Sequence, residues 1–66
     1  MEIGKIIREC RLDLKLTQSQ LAEMLNTTQD TISLWELGKS FPDIFNVIKL
    51  SKIFKVSTDY LLGLEQ

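Results

Sequence analysis

Histidine is absent from the chain, and cysteine occurs once, at Cys10. Imidazole is the usual general base near neutral pH and, with thiolate, the usual zinc ligand. Their scarcity excludes a Cys/His metal centre, an intramolecular disulfide and any nucleophile with an imidazole base beside it. The three glycines, Gly4, Gly38 and Gly63, stand far apart, so no glycine-rich loop cradles a phosphate. No apolar run approaches the ~18 residues a membrane span needs, and Met1-Glu2 leads straight into a helical pattern, not a signal peptide. A cytoplasmic location is expected. With 66 residues the chain makes one domain, residues 1–66, and a chain of that size buries only about 60% of its unfolded surface. It has no room for a deep substrate pocket, so neither an enzyme nor a cofactor or metal carrier is expected. An excess of positive charge is missing too, with 8 Lys and Arg against 9 Asp and Glu.

What is present is helical pattern. Thr17 and Gln20 form the Ser/Thr-x-x-Glu/Gln box in which each side chain satisfies a backbone N–H of the other, so a helix begins near Gln18. Leu21, Ala22 and Leu25 share its inward stripe, and Ala22 is small enough for a crossing helix to approach closely. Asn26 accepts the left-handed conformation that closes a helix. Thr28 caps the next helix, which turns Ile32 and Trp35 inward and Gln29, Asp30, Thr31, Ser33 and Leu34 outward, with Gly38 as its stop. Two short helices joined this tightly cross at a large angle.

The rest of the chain frames that pair. A first helix over about Glu2 to Asp13 sets Ile3, Ile6, Ile7, Cys10 and Leu14 at inward spacing. Cys10 reads as a small core or boundary residue and not as a redox sensor. Pro42 keeps Phe41 out of helical geometry, and Asp43 caps a fourth helix over Ile44 to Phe54. Its Ile44, Val47, Ile48, Leu50, Ile53 and Phe54 make it the expected central packing helix, with Asn46, Lys49 and Lys52 outside. Ser57 caps a last helix, Thr58 to Leu62, closed by Gly63. The expectation is an all-α, compact five-helix domain with a helix-turn-helix at helices 2 and 3. Such a bundle has low contact order and folds fast.

Gln18, Leu21-Ala22, Ile32, Trp35-Glu36 and Gly38, together with Arg11, Pro42 and the ending Val56-Ser57-Thr58-Asp59-Tyr60-Leu61-Leu62-Gly63, resemble the Cro and phage-repressor family, also called xenobiotic-response-element-like regulators. The resemblance runs from about Ile3 to Leu64. It implies a lambda-repressor-like fold and a sequence-specific DNA-binding transcriptional regulator, a repressor above all, working as a dimer with helix 3, about residues 29–37, in the major groove.

Carried over by motif position, the base readers are Gln29, Asp30, Thr31 and Leu34. Gln29 suits adenine N6 and N7, Asp30 suits cytosine N4, and Leu34 offers only apolar contact. Gln18, Thr28 and Lys39 are the expected backbone contacts, the first two at helix starts where N–H groups favour an anion. The resemblance further implies an ion pair between Arg11 and Glu36 that ties helix 1 to the end of helix 3. The partners expected are double-stranded DNA and a second copy of the chain, with no membrane and no small-molecule substrate.

The chain departs from the family pattern at Leu34, where Arg, Lys or Gln is common, and at Leu37, Phe41 and Asp43. Helix 3 has no Lys or Arg. Exposed leucines more often mark a protein contact than a nucleic-acid one, so a helix-turn-helix scaffold that captures another protein is the rival function. Trp35 reads as core and not as a base-stacking platform. Lys49, Lys52 and Lys55 read as a solvated face, and Leu61, Leu62 and Leu64 are divided between core and a dimer surface.

Overall fold

Five α-helices make up the computed structural model, which describes residues 2–65: α1 Ile3–Asp13, α2 Gln18–Met24, α3 Gln29–Glu36, α4 Ile44–Phe54 and α5 Thr58–Leu61. No strand occurs among the described residues. Met1 and Gln66, the ends of the expected domain, lie outside them.

Short polar side chains start four of the helices. Thr17, Thr28, Asp43 and Ser57 each accept the backbone N–H three residues on, at 3.0, 3.3, 2.8 and 2.9 Å. At α2 the box is complete, because the Thr17 N–H also reaches Gln20 Oε1 at 2.8 Å. Glu2 precedes α1 without a side-chain cap bond, so that helix starts one residue later than its pattern suggests.

All five helices stop by one device. Lys15, Asn26, Gly38, Lys55 and Gly63 have φ of 59°, 57°, 74°, 57° and 75°. In each case the next N–H bonds back to the carbonyl five residues before it, at 2.9 to 3.1 Å. This left-handed closure satisfies carbonyls the helix leaves open and turns the chain within two residues. Two of the five stops are lysine, a residue that carries a steric penalty there.

The core draws on every helix: Ile3 and Ile7, Leu21, Ala22 and Leu25, Ile32 and Trp35, Val47, Leu50 and Phe54, and Leu61. Each fully buried Ile or Leu contributes about 2 kcal/mol by leaving water. Leu62 is packed at its edge and Leu64 is exposed.

Three inward placements are corrected. Ile44 and Ile48 are exposed, so α4 is one contributor to the core and not its centre. At 3.6 residues per turn, Ile44 and Ile48 lie roughly a quarter to a third of a turn off the stripe of Val47, Leu50 and Phe54, and Phe45 stands roughly opposite it. Leu14 is also exposed, because α1 has ended and the chain turns at Lys15. Asn46, expected outside, is half-buried.

Cys10 is half-buried against the core. Burial raises its thiol pKa, and the charges of Asp13 and Glu9 raise it further. The thiol therefore stays protonated, which is the inert state.

Candidate nucleic-acid interface

α3 is held from two sides, by α2 in front and by α1 behind. The α2–α3 turn is fixed at Asn26, whose left-handed backbone lets the Thr27 N–H reach the Ala22 carbonyl at 2.9 Å. Leu21, Ala22 and Leu25 from α2 and Ile32 and Trp35 from α3 are all buried in the joint core. Behind, α1 crosses the end of α3 so closely that a Cβ on Gly4 would lie 2.2 Å from the Trp35 carbonyl oxygen. Only glycine fits there, a requirement that no turn or periodicity in the sequence signals.

The same end of α3 carries an ion pair. Arg11 Nε donates to Glu36 Oε2 at 2.7 Å and Nη2 donates to Oε1 at 3.1 Å, while Nη1 caps the Leu16 carbonyl at 2.8 Å. Both side chains are at least nine-tenths buried. Hydrogen bonding to Glu36 raises the Arg11 pKa, burial pulls it down, and the carboxylate charge adds to the rise. A two-bond fork of this kind fixes direction as well as distance.

Gln18 joins the pair to the front of the site. Its Nε2 donates to Glu36 Oε1 at 3.1 Å, and its Oε1 accepts from Gln29 Nε2 at 3.4 Å. Gln29 Oε1 accepts from Ser19 Oγ at 3.3 Å. The structure thus brings Arg11, Glu36, Gln18 and Gln29 into one polar row, although the residues are spread over three helices. Ser19 belongs to this row and no sequence signal marks it. Nor does spacing indicate that the Gln18 side chain turns toward Glu36.

The outer end of α3 is open. Gln29, Asp30 and Leu34 are exposed and Thr31 is half-buried. The Thr31 hydroxyl lies 3.0 Å from that of Thr28, which is exposed at the cap. Lys39 is exposed immediately after Gly38, the left-handed stop of α3. Arg11 is taken up internally, and the other seven Lys and Arg side chains are exposed. None of them stands on α3.

Beyond this end the surface changes character. Between Leu34 and Ile48 six large apolar side chains are exposed, with Phe45 at 72%, Leu37 at 66% and Ile44 at 64%. Leu16, Gln20, Glu23 and Met24 line a shallow open groove with no enclosed volume suited to a substrate. No cluster of three His, Cys, Asp or Glu side chains suited to a metal ion occurs among the described residues. Among the described residues no helix is long and apolar enough to cross a membrane.

Comparison with known proteins agrees with this architecture. The chain is 39% identical to the HTH-type transcriptional regulator ImmR of Bacillus subtilis (strain 168) over all 66 residues, and 39% identical over the same span to the HTH-type transcriptional activator BcrR of Enterococcus faecalis. It covers 52% of the first and 32% of the second, so it spans about half or less of the length of these relatives. Among solved structures it resembles the P22 c2 repressor of Salmonella phage P22, crystallised in complex with a synthetic operator, at a TM-score of 0.88 and 36% identity over 96% of each chain. The helix-turn-helix family profile matches residues 7–61. By that match and these relatives, the chain belongs to the helix-turn-helix family of Cro and phage-repressor-type transcriptional regulators.

Proposed function

We propose that this domain, residues 1–66, is the DNA-binding part of a cytoplasmic transcriptional regulator that represses by occupying its operator. α3 enters the major groove, Gln29, Asp30, Thr31 and Leu34 meet base edges, and Gln18, Thr28 and Lys39 meet the backbone. The observation that carries this reading is the open front end of α3 on a rigid mount: Gln29 and Asp30 stand in solvent while Ile32 and Trp35, on the same helix, are buried. A groove reader needs that combination of reach and fixed direction. One solved relative is a repressor on an operator, which supports this reading.

The protein works as a homodimer. Its extents are 29 × 23 × 20 Å, and successive major-groove entries on one face of a duplex lie about 34 Å apart. One copy therefore reads one half-site. Affinity is modest and falls with salt, because α3 itself contributes no phosphate-neutralising cation. Selection from a randomised duplex library at low salt tests the proposal. A pseudo-palindromic enriched sequence is expected, and recovery of no preferred sequence would refute it.

A second function draws on the exposed Leu34, Leu37 and Phe41, which suit capture of another protein by the same scaffold. Leu34→Arg separates the two. It strengthens or re-targets DNA binding if α3 reads a groove, and it abolishes partner capture without improving DNA binding if α3 is a protein-docking helix.

A further inference from the structure

We infer that the buried Arg11–Glu36 pair sets the base preference of Gln29, acting through the amide of Gln18. This inference rests on the DNA-reading role proposed above and assigns Glu36 as a positioning residue for specificity.

A glutamine amide has two ends that differ only in chemistry: the oxygen accepts and the NH2 donates. Exchanging them requires only a half-turn about the last side-chain bond. In isolation Gln29 presents either order to a base pair. Adenine is selective on this point, because its N7 accepts and its N6 amino group donates, at neighbouring positions along the major-groove edge. From one fixed approach, only one order of the amide satisfies both.

The row of bonds behind Gln29 fixes that order. Glu36, forked by Arg11, faces Gln18 with a carboxylate oxygen that accepts and cannot donate. Gln18 must therefore turn its NH2 inward, since its carbonyl oxygen would repel the carboxylate. Its own oxygen then points at Gln29, and Gln29 must answer with NH2. The Ser19 hydroxyl, which can donate or accept, accommodates this order by donating to Gln29 Oε1. One Nε2 hydrogen and one Oε1 lone pair of Gln29 are left, in a set sequence, for the base. Two amides and one carboxylate thus carry a polarity from the closed end of α3 to its open end.

The test uses the free protein and the protein on DNA. Glu36→Gln gives Gln18 a neighbour that both donates and accepts, so both amide orders become possible. The swap Gln18→Glu with Glu36→Gln restores an acceptor-only group in the middle of the row and compels Gln29 to donate again. In library selections, Glu36→Gln is expected to lower the preference for adenine at one base pair per half-site by about fivefold or more, with the other positions unchanged. The swap is expected to recover that preference. Gln18→Met leaves the ion pair in place but gives up the proposed backbone contact, so it weakens binding to every sequence and, beyond that, gives the same loss of adenine preference; it serves if Glu36→Gln does not fold. The side-chain NH2 resonances of Gln29, followed by NMR without DNA, are displaced from the values of a free glutamine amide in the wild type and the swap and move toward those values in the other two.

Whatever the change in overall affinity, an unchanged adenine preference in folded Glu36→Gln or Gln18→Met, or no recovery of that preference in the swap, overturns the inference. If wild-type protein enriches no sequence, the DNA-reading role fails on its own. The NMR comparison still decides whether the polarity is set.

Discussion

α3 and α4 are both amphipathic helices of this small domain, and they use their surfaces in opposite ways. α3 buries Ile32 and Trp35 and leaves Gln29 and Asp30 in solvent, so its free end is polar and its mount is apolar. α4 has seven large apolar residues and buries three, Val47, Leu50 and Phe54, with Ile53 packed at the edge. Ile44, Phe45 and Ile48 are left outside. Apolar content alone thus overstates what a helix gives to a core of this size. The front end of α3 is finished as a polar reading edge, and α4 exposes more apolar surface than folding uses.

The sharpest way to break the comparison is at the mount of α3. Arg11→Met removes one partner of a buried pair and leaves the Glu36 carboxylate without its guanidinium. Loss of one member of such a pair costs about 3 kcal/mol or more. A domain of this length is stable by only roughly 3 to 10 kcal/mol, so the variant should be largely unfolded on warming. Urea titration followed by circular dichroism checks this, and a loss below about 1 kcal/mol would show the pair to be solvated in effect. Gly4→Ala attacks the same joint from the α1 side. Alanine is ordinarily the better helix former by about 1 kcal/mol, but its Cβ would meet a backbone carbonyl that cannot swing aside. A net loss of about 2 kcal/mol is expected from overpacking, measured in the same titration. A gain in stability would mean that α1 sits farther from α3.

A smaller change compares the two helix ends. α3 closes on Gly38 and α4 closes on Lys55, with the same left-handed geometry. A side chain in that conformation costs roughly 1 to 2 kcal/mol, and a glycine there gives some of the gain back through its freer unfolded chain. Lys55→Gly should therefore raise stability by about 0.5 to 1 kcal/mol, seen as a rise of a few degrees in the melting temperature. No rise would mean that the lysine side chain makes up the difference.

These helix ends also show what the sequence makes legible. Asn26, Gly38 and Gly63 are stops that residue type announces, and the four capping side chains announce the starts. Lys15 and Lys55 adopt the same backbone without any such sign, because there the closure is imposed by the packing of the neighbouring Leu16 and Val56 against the core. The polar residues on the outside of α3 can be placed from spacing alone, since Ile32 and Trp35 define its inner side. Gly4 cannot. Its need is set by how closely α1 crosses α3, a distance that depends on the whole core. The link from Gln18 to Glu36 is equally hidden, because it joins residues 18 apart across two helices. Ile44 and Ile48 mislead for the opposite reason: their type suggests burial, while a short helix can hide only one stripe.

The smallest expected effect on stability falls on that surplus. Phe45 is the most exposed of the large apolar residues and lies away from the buried stripe of α4. A substitution at such a site normally changes stability by no more than about 0.5 kcal/mol, so Phe45→Ser should melt close to the parent. Its effect belongs to association. If two copies on one operator cover the apolar surface between Leu34 and Ile48, Phe45→Ser lowers the self-association measured by sedimentation and weakens binding to a full palindrome more than to a single half-site. An equal loss on both duplexes would place Phe45 at the DNA side instead. A large fall in melting temperature would mean that the side chain belongs to the core after all, and the contrast between α3 and α4 would then disappear.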